Sequence, residues 1–496
     1  MIYKNPVVKG FYPDPSVCFA NGRFYMVCSS FQYFPGVPLF ESVDLVNWSQ
    51  IGYVLTRPDQ VMLDKINSSG GVFAPTIRYN AGRFYMVTTN DTTRENFYVW
   101  TDDIYGEWSD PIYVDQGGID PSLYFEKGRC YFMSNGEDAN GVGGIVQCEI
   151  DIATGKKLSE SKCIWQGTGG RYLESPHLYK IGKWYYLMAA EGGTEYGHMI
   201  TCARSRSLWG RYSRNPNNPV LSNRNKAPYI IQGIGHGDLI QDQNGNWFIL
   251  SLGFRQIHLW MPFHNLGREV FLTPVKFGED GWFTAGADGT TEETFEIDAN
   301  IVQEEKKRYT FGNTKWNVDW SYMREPDFKK YELLEDKAVL TGSEITLEEA
   351  DSPTFIALRQ KEFVFSMSAD VTAEGSGETG FTVYMCENEH YDICLRRSAE
   401  GKGYEAVLKL NIGGIKHIQK AVPIKSNTAK LIVKADNFSY NFFFKEEGDV
   451  VPNSLGYGYA KYLTSEVSGG FTGVMLGMYA IGDIKSEFTG FELEYK

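Results

Sequence analysis

The chain has 496 residues, a formal net charge of −14, 15% aromatic residues and 52 glycines. This length exceeds that of one compact domain and predicts two. Because no Lys/Arg block stands out from the acidic background, a nucleic-acid partner is not expected, whereas a neutral ligand such as a sugar would not be repelled.

The composition and the N-terminal residues also indicate the fold class and the cellular compartment. Glycine turns combined with many aromatic residues favour an all-β architecture. The N-terminal segment Met-Ile-Tyr-Lys-Asn-Pro lacks the charged and apolar regions of a signal peptide, and no apolar run is long enough to cross a bilayer. None of the eight cysteines forms a CxxC pair. We therefore expect free thiols, a cytoplasmic location and no membrane partner.

One hairpin pattern recurs five times in the first half of the chain. Each copy is a short apolar run, an X-Gly turn and a second run that carries an aromatic residue; the turn glycines are Gly22, Gly82, Gly128, Gly182 and Gly245. Such turns suit the primed two-residue hairpin, which needs positive φ. The spacing of the glycines matches propeller blades with variable insertions. We predict a five-bladed β-propeller over residues 1–295.

The blade pattern stops at a polar segment, residues 296–310, which we interpret as a linker. Residues 311–496 then alternate between apolar and polar positions in short runs bounded by turns. This pattern predicts a jelly-roll-like β-sandwich as the second domain. The predicted strands include residues 363–370, 380–385, 406–410, 430–435 and 439–444.

The predicted blades differ at one position that matters for chemistry. Counting back eight residues from each turn glycine leads to Asp14, Ala74, Asp120, Glu174 and Gly237, the last beside His236. The first strand of every blade lines the central channel, so these positions should meet at its mouth. A lone Asp before a strand is usually a turn residue. Three acids in register, which the fold itself does not require, indicate an acid/base site.

The order of the blades suggests a role for each acid. Blades 3 and 4 are neighbours, so we expect Asp120 to lie closer to Glu174 than Asp14 does. A carboxyl group beside another in a poorly solvated cleft has a raised pKa, which favours a protonated Glu174 as general acid. The more distant Asp14 can stay ionised and activate water. A well-separated pair is typical of inverting glycosidases, whose carboxyl groups stand about 6.5–9.5 Å apart.

His236 has three interpretations from the sequence alone. It could be a structural histidine, part of the acid/base site, or a ligand to a metal ion or its water on the propeller axis. A single histidine is weak evidence of a metal. With oxygen ligands nearby, Ca²⁺ would be the expected ion.

Longer motifs surround these candidate residues. They are Gly10-Phe-Tyr-Pro-Asp14-Pro-Ser, Gly71-Val-Phe-Ala-Pro-Thr-Ile-Arg, Ile119-Asp120-Pro-Ser-Leu, Glu174-Ser-Pro-His-Leu-Tyr-Lys, Gly235-His-Gly-Asp-Leu and Leu266-Gly-Arg268-Glu. Across the whole chain they resemble glycoside hydrolase family 43, in particular the β-xylosidases and α-L-arabinofuranosidases with an appended sandwich. The resemblance implies that Asp14 is the general base and Glu174 the general acid. It implies that Asp120 tunes the pKa of the acid and orients the substrate.

The same resemblance implies further substrate contacts. Arg268 would hold two sugar hydroxyls with its guanidinium fork, and Phe31 and Phe73 would form aromatic walls. Many family members carry Trp where Phe73 stands, so the substrate preference at that wall is open. Phe471, from the sandwich, would close one side of the pocket and favour exo attack. The alternatives are a surface charge for Arg268 and core packing for the phenylalanines.

These observations predict an exo-acting, inverting glycosidase. It would release terminal α-L-arabinofuranosyl residues, with β-D-xylosyl residues as a second candidate, from xylan- or arabinan-derived oligosaccharides, and its chemistry would require no cofactor. Three alternatives stay open: a β-D-xylosidase acting mainly on xylo-oligosaccharides, an endo-arabinanase, and a non-catalytic carbohydrate-binding propeller. The expected partner is an oligosaccharide, and a homo-oligomer is compatible with the sequence.

Overall fold

The computed structural model describes residues 2–297, 302–398, 401 and 403–496. Within these ranges the chain is almost entirely β, with one short helix, α1 (Ser465–Ser468), and four 3-10 turns. The predicted all-β class is confirmed. Part of the predicted linker, residues 298–301, lies outside the described residues.

The N-terminal part forms five four-stranded sheets, the blades of a propeller, as predicted. The first strand, β1 (Ile2–Lys4), pairs with residues 294–296 at the end of the propeller. Blade 1 and its inserted strand contain β2 (Ser16–Ala20), β3 (Arg23–Val27), β4 (Tyr33–Phe34), β5 (Gly36–Ser42) and β6 (Ser49–Leu55). Blade 2 contains β7 (Thr76–Asn80), β8 (Arg83–Asn90), β9 (Glu95–Thr101) and β10 (Ile112–Val114).

The other blades follow in chain order. Blade 3 contains β11 (Ser122–Glu126), β12 (Arg129–Glu137), β13 (Gly143–Ile150) and β14 (Lys162–Trp165). Blade 4 contains β15 (Glu174–Ile181), β16 (Trp184–Glu191), β17 (Met199–Ser205) and β18 (Ser213–Arg214). Blade 5 contains β19 (Ile231–Gln241), β20 (Trp247–Arg255), β21 (Glu269–Phe277) and β22 (Phe283–Ala285), and β23 (Thr294–Glu296) ends the propeller. The first strands β2, β7, β11, β15 and β19 contact one another in sequence and close a ring.

The predicted primed turns are confirmed in three of the five hairpins. Both central residues have positive φ in the turns at Gly22, Gly82 and Gly128, as a type I′ turn requires. In blade 4 the register differs, because Ile181 pairs with Trp184 and Gly182 is the first residue of its turn. In blade 5 the connection is longer, since Gln241 pairs with Trp247.

The C-terminal part is a sandwich of two eight-stranded sheets. Its strands are β24 (Arg308–Thr310), β25 (Ser321–Met323), β26 (Tyr331–Leu333), β27 (Lys337–Thr341), β28 (Thr354–Arg359), β29 (Phe365–Gly375), β30 (Glu378–Cys386), β31 (Glu389–Arg397), β32 (Tyr404–Ile412), β33 (Ile415–Ile424), β34 (Thr428–Ala435), β35 (Ser439–Lys445), β36 (Asn453–Tyr459), β37 (Met475–Ile481) and β38 (Ile484–Tyr495). Strands cover four of the five predicted segments completely and residues 365–370 of the segment 363–370.

One sheet of the sandwich includes a strand of the propeller. Its order is β33-β32-β31-β30-β37-β28-β25-β4, so β4 forms its edge through the pairs Tyr322↔Phe34 and Met323↔Tyr33. The other sheet runs β26-β27-β38-β29-β34-β35-β36, with β24 paired to β38. Buried apolar side chains of both parts pack into shared clusters. The sandwich and the propeller therefore share a sheet and buried apolar clusters, and are not joined by the linker alone.

Two expectations from the sequence concern the molecule as a whole. All eight cysteines are free, as predicted, and six of them are buried. Among the described residues, no helix is both long enough and apolar enough to span a membrane.

Candidate active site

The three predicted carboxyl groups lie at one end of the ring of inner strands. Asp14 and Asp120 precede β2 and β11, and Glu174 is the first residue of β15. His236, in β19, lies between two of them: its Nδ1 is 3.5 Å from Asp14 Oδ1 and 3.7 Å from Asp120 Oδ2. The charge of Glu174 acts on Asp120 as well. The structure thus brings the predicted residues together at the mouth of the channel.

Glu174 does not occupy the position equivalent to Asp14 and Asp120, so the count from the glycines is wrong by one residue in blade 4. Backbone φ is 56° at Asp14 and 54° at Asp120, and the blade-4 residue with this conformation is Ser175, at 55°. The cause is the shifted turn, since Gly182 is the first and not the second turn residue. Glu174 reaches the site from the preceding position with a side chain one methylene longer.

Asp14 is a buried carboxylate in a cationic environment. It is 5% exposed and accepts hydrogen bonds from Ser29 Oγ and, at 3.3 Å, from Arg268 Nη1. Burial acts to raise its pKa, but Arg268, His236 and the Ser29 hydroxyl outweigh burial and lower the pKa below its ordinary value. Asp14 can therefore act as a base at neutral pH.

Asp120 and Glu174 form a pair that holds a proton. Burial, followed by the charges of Glu174 and Asp14, raises the pKa of Asp120 well above its ordinary value. Burial and the charge of Asp14 raise the pKa of Glu174 to about 7. The direction predicted for Glu174 is confirmed, and Asp120 shares it. Because Glu174 is half-buried and Asp120 fully buried, Glu174 is the group that can present a proton to a ligand.

Arg268 is held by three parts of the molecule and is not a surface charge. It is 5% exposed. Its Nη1 donates to Asp14 Oδ1 and, at 2.7 Å, to Thr194 Oγ1, and its Nη2 donates to the Phe471 carbonyl at 3.1 Å. The sequence indicated its nearness to a ligand, but not that its partners come from blade 1, blade 4 and the sandwich.

Three predicted phenylalanines form one aromatic cluster. The ring of Phe31 stacks on that of Phe471 with centroids 5.7 Å apart and meets Phe73 edge-on at 5.5 Å. Phe73 and Phe471 are 6.0 Å apart, also edge-on. Phe31 is buried, Phe73 is half-buried and Phe471 is 37% exposed. Phe471, supplied by the sandwich, thus presents the most exposed ring of the cluster.

His236 contacts the acids, which favours its second interpretation. Burial lowers its pKa, against the charge of Asp14, which acts to raise it. Within the described ranges, no group of three or more His, Cys, Asp or Glu side chains is arranged to hold a metal ion. Ca²⁺ takes six to eight oxygen ligands, and an imidazole supplies none. Among the described residues nothing tests binding of Ca²⁺ through carboxylates or water, so calcium on the axis stays a prediction.

Two family models match the chain. Residues 3–283 match the model described as glycosyl hydrolases family 43, and residues 308–491 match the beta xylosidase C-terminal concanavalin A-like domain. The first match spans more than half of the chain, and the two together cover the propeller and the sandwich. The chain belongs to glycosyl hydrolase family 43. It is therefore a glycoside hydrolase, an enzyme that acts on oligosaccharides.

Relatives of this family 43 enzyme match over its whole length. The non-reducing end alpha-L-arabinofuranosidase BoGH43B of Bacteroides ovatus is 36% identical over 97% of this chain and 92% of its own. The xylosidase/arabinosidase of Butyrivibrio fibrisolvens is 33% identical over 98% and 97%. Two solved structures superpose over 100% of both chains: Bacteroides ovatus xyloglucan PUL GH43B, with a TM-score of 0.92 at 35% identity, and a xylan beta-1,4-xylosidase from Bacillus halodurans, with 0.91 at 28%.

Below the acids, the channel of this family 43 enzyme is filled by a polar network that sequence reasoning missed. Asp238 Oδ2 accepts from Ser16 Oγ and from Arg78 Nη1, both at 2.7 Å. Asp238 Oδ1 accepts from Arg78 Nη2 at 3.2 Å and from the Tyr179 hydroxyl. The Arg78 Nη2 also lies 2.8 Å from His177 Nδ1. These residues belong to four different blades, so the network ties the inner strands together.

A second missed residue holds the loop that leads to Glu174. Glu191 is 0% exposed and accepts hydrogen bonds from Thr168 N at 3.0 Å, Gly170 N at 2.8 Å and Thr201 Oγ1 at 2.8 Å. Its neighbour in β16, Ala190, pairs directly with Glu174. Glu191 therefore fixes the backbone from which Glu174 projects. A single Glu at the end of an apolar run gave no signal of this role.

Proposed function

We propose that this family 43 enzyme is an exo-acting, inverting glycosidase. It releases terminal α-L-arabinofuranosyl residues from xylan- or arabinan-derived oligosaccharides, with β-D-xylosides as its second substrate class. The observation that carries the proposal is the division of the acids into an ionised Asp14 and a proton-holding pair, Asp120 and Glu174. The printed names of the relatives, an arabinofuranosidase and a xylosidase/arabinosidase, support the substrate classes.

The proposed reaction is a single displacement. Asp14 accepts a proton from a water molecule, and the oxygen of that water attacks the anomeric carbon. Glu174 donates its proton to the glycosidic oxygen, the bond between this oxygen and the anomeric carbon breaks, and its electron pair leaves with the departing hydroxyl. One displacement inverts the anomeric configuration. Because Asp120 lies beside Glu174, these two carboxyl groups together keep a proton at a pH at which Asp14 is already ionised.

The exo mode is supported by the position of the sandwich. The Phe471 ring stands against Phe31 and Phe73 and is fixed there by the hydrogen bond between its carbonyl and Arg268. A wall of this kind admits a terminal sugar, whereas a continuing chain would meet the ring. A viscosity assay on arabinan tests this mode, because an exo enzyme releases monosaccharide while the viscosity hardly changes.

Parallel initial rates test the substrate assignment. We expect turnover of 4-nitrophenyl α-L-arabinofuranoside above that of the β-D-xyloside, and the reverse ratio would favour a β-D-xylosidase. We also propose that the chemistry needs no cofactor, so that rates with and without a chelator should agree. Proton NMR of the first-formed product tests inversion, and a product that keeps the configuration of the substrate would exclude it.

Leaving-group dependence separates the proposed acid from the proposed base. Glu174→Ala should lose several orders of magnitude of kcat/KM on a natural disaccharide but far less on a glycosyl fluoride, whose departure needs little proton transfer. Asp14→Ala should lose activity on both, because water activation is needed whatever leaves. Equal losses of Glu174→Ala on the two substrates would contradict its role as acid.

We further propose that the enzyme works in the cytoplasm, on oligosaccharides that have entered the cell. Eight free cysteines, six of them buried, support this location, because thiols persist in a reducing compartment. Fractionation of the source cells with an antibody against the protein tests it. Recovery of the protein from the medium would contradict the proposal.

A further inference from the structure

The sandwich loop that carries Phe471 is bonded to the propeller on both sides of that residue. The backbone N–H of Phe471 donates to Ser69 Oγ at 2.8 Å, and its carbonyl accepts from Arg268 Nη2 at 3.1 Å. We propose that Ser69 and Gly470 are positioning residues, which act through the Phe471 backbone to hold the Arg268 guanidinium against Asp14. The inference rests on the proposed function, since it concerns the same site.

Ser69 is itself held in place by the propeller. Its backbone N–H donates to Gln32 Oε1 at 2.8 Å, and Gln32 is 0% exposed. The Gln32 carbonyl in turn accepts from the backbone N–H of Arg324 at 2.8 Å. Ser69 is thus a fixed acceptor, and a loop that bonds to it takes up one position relative to the acids.

Gly470 lets the loop approach Ser69. A Cβ added at Gly470 would stand 2.4 Å from Ser69 Oγ, closer than any real Cβ contact. Gly469 also has a positive φ, +70° against +76° at Gly470, yet an added Cβ there meets nothing within 4 Å. Alanine at either position carries a cost of positive φ. Only alanine at Gly470 also clashes with Ser69 Oγ, so the hydroxyl or the loop must move and the bond from the Phe471 N–H to Ser69 is lost.

The guanidinium depends on this bond because its partners come from separate segments. Asp14 and Thr194 both accept from Nη1, while the Phe471 carbonyl accepts from Nη2. Without the carbonyl, the planar fork can rotate about the Nη1 contacts. Donors to a substrate must be fixed in direction, and a displacement of about 1 Å can cost up to about 100-fold in rate.

A double-mutant cycle on kcat/KM tests the inference with the aryl arabinofuranoside and xyloside. Ser69→Ala and Gly470→Ala should each lower kcat/KM about 10- to 100-fold, while the matched control Gly469→Ala loses less than about twofold. Arg268→Lys keeps the charge but lacks the second Nη that meets Phe471. In that background Ser69→Ala should add nothing further, because the bond through which it acts is already absent.

The outcomes test the inference about Ser69 and Gly470 separately from the proposed glycosidase function. Losses from Ser69→Ala and Arg268→Lys that multiply would overturn the inference and leave the proposed function intact. Equal losses in Gly470→Ala and Gly469→Ala would also overturn it. A wild-type enzyme that cleaves neither glycoside would refute the proposed function alone. The inference is then decided by a crystal structure of Ser69→Ala, in which Arg268 Nη2 must have left the Phe471 carbonyl; an unchanged contact overturns it.

Discussion

At the scale of single residues, the ionisation of Glu174 sets the expected pH dependence. Its pKa is raised to about 7, and only the protonated form can donate, so kcat/KM should fall about tenfold per pH unit above that value. The pKa of Asp14 is lowered, so the base stays ionised over the same range. Rates on an arabinofuranosyl disaccharide, whose leaving group needs the proton, measure the profile from about pH 5 to 9. Undiminished kcat/KM at the alkaline end would contradict the assignment.

Asp120 and Asp14 should affect stability in opposite directions. The pKa of Asp120 is raised by burial and by Glu174, so above its unfolded pKa of about 3.9 its ionised form costs free energy of folding. The neutral amide in Asp120→Asn removes that cost. The pKa of Asp14 is lowered, so its charge stabilises the fold above the unfolded pKa, and Asp14→Asn loses this contribution.

Thermal unfolding at a mildly alkaline pH checks this pair of variants. The melting temperature should rise in Asp120→Asn and fall in Asp14→Asn, while both variants lose activity. Such a trade of stability for function is common at sites that bury charges of like sign. A fall of similar size in both variants would show that the acids do not differ in the way their environments indicate.

The sequence predicted which acids meet, but not the register of Glu174. A better signal was present: proline follows Asp14, Asp120 and Ser175, and it would have aligned Ser175 rather than Glu174 with the other two acids. The partners of Arg268 could not be predicted, because Thr194 and Phe471 are distant in sequence and no pattern links them. Contacts between two domains produce no periodic pattern in the sequence of either domain.

At the scale of elements, the Asp238–Arg78 pair should account for much of the stability of the ring. Asp238 has a pKa well below its usual range because, against the cost of burial, Arg78 and its hydrogen bonds favour the charge. Asp238→Asn would leave the Arg78 guanidinium, whose side chain is only 17% exposed, without its counter-charge, a change that costs up to about 3–5 kcal/mol. Urea unfolding followed by tryptophan fluorescence measures the loss.

Asp102→Asn is the matched control for that variant. Asp102 also makes a two-bond contact with an arginine of blade 2, Arg83, at 2.7 and 3.1 Å. This pair lies at the surface, where solvent screens the attraction, so the free energy of unfolding should change far less. Similar losses in Asp238→Asn and Asp102→Asn would show that the axial network does not hold the inner strands together.

The hairpins were predictable as elements because their turn residues are local. An X-Gly turn between apolar runs predicts two paired strands whatever surrounds them, and the five blades follow. The shifted turn of blade 4 was not visible, since Ile181-Gly182-Lys183 allows either register. The pairing of β4 with a strand of the sandwich could not be predicted from the sequence either. A two-residue strand has too little sequence to show a period, and its partner β25 lies in the other domain.

At the scale of the whole molecule, the two domains share their interior. Propeller residues such as Phe34 and Leu55 lie in the same apolar cluster as Trp320 and Ile356 of the sandwich. Arg324, which is 0% exposed, donates to the Ile66 carbonyl of the propeller at 2.6 Å and to the Asp351 carbonyl of the sandwich at 2.7 Å. The length of the chain predicted two domains, but not that they would be one structural unit.

A shared interior should make the two domains unfold together. Scanning calorimetry of the full chain should give one transition, because separating the domains would expose apolar clusters common to both. Arg324→Ala removes the bonds to both domains and leaves buried carbonyls unpaired, so it should lower the melting temperature while preserving a single transition. Arg308→Ala, which breaks an exposed ion pair with Glu492 within the sandwich, should change it little. Two resolved transitions in the wild-type chain would mean that the propeller and the sandwich are stable separately.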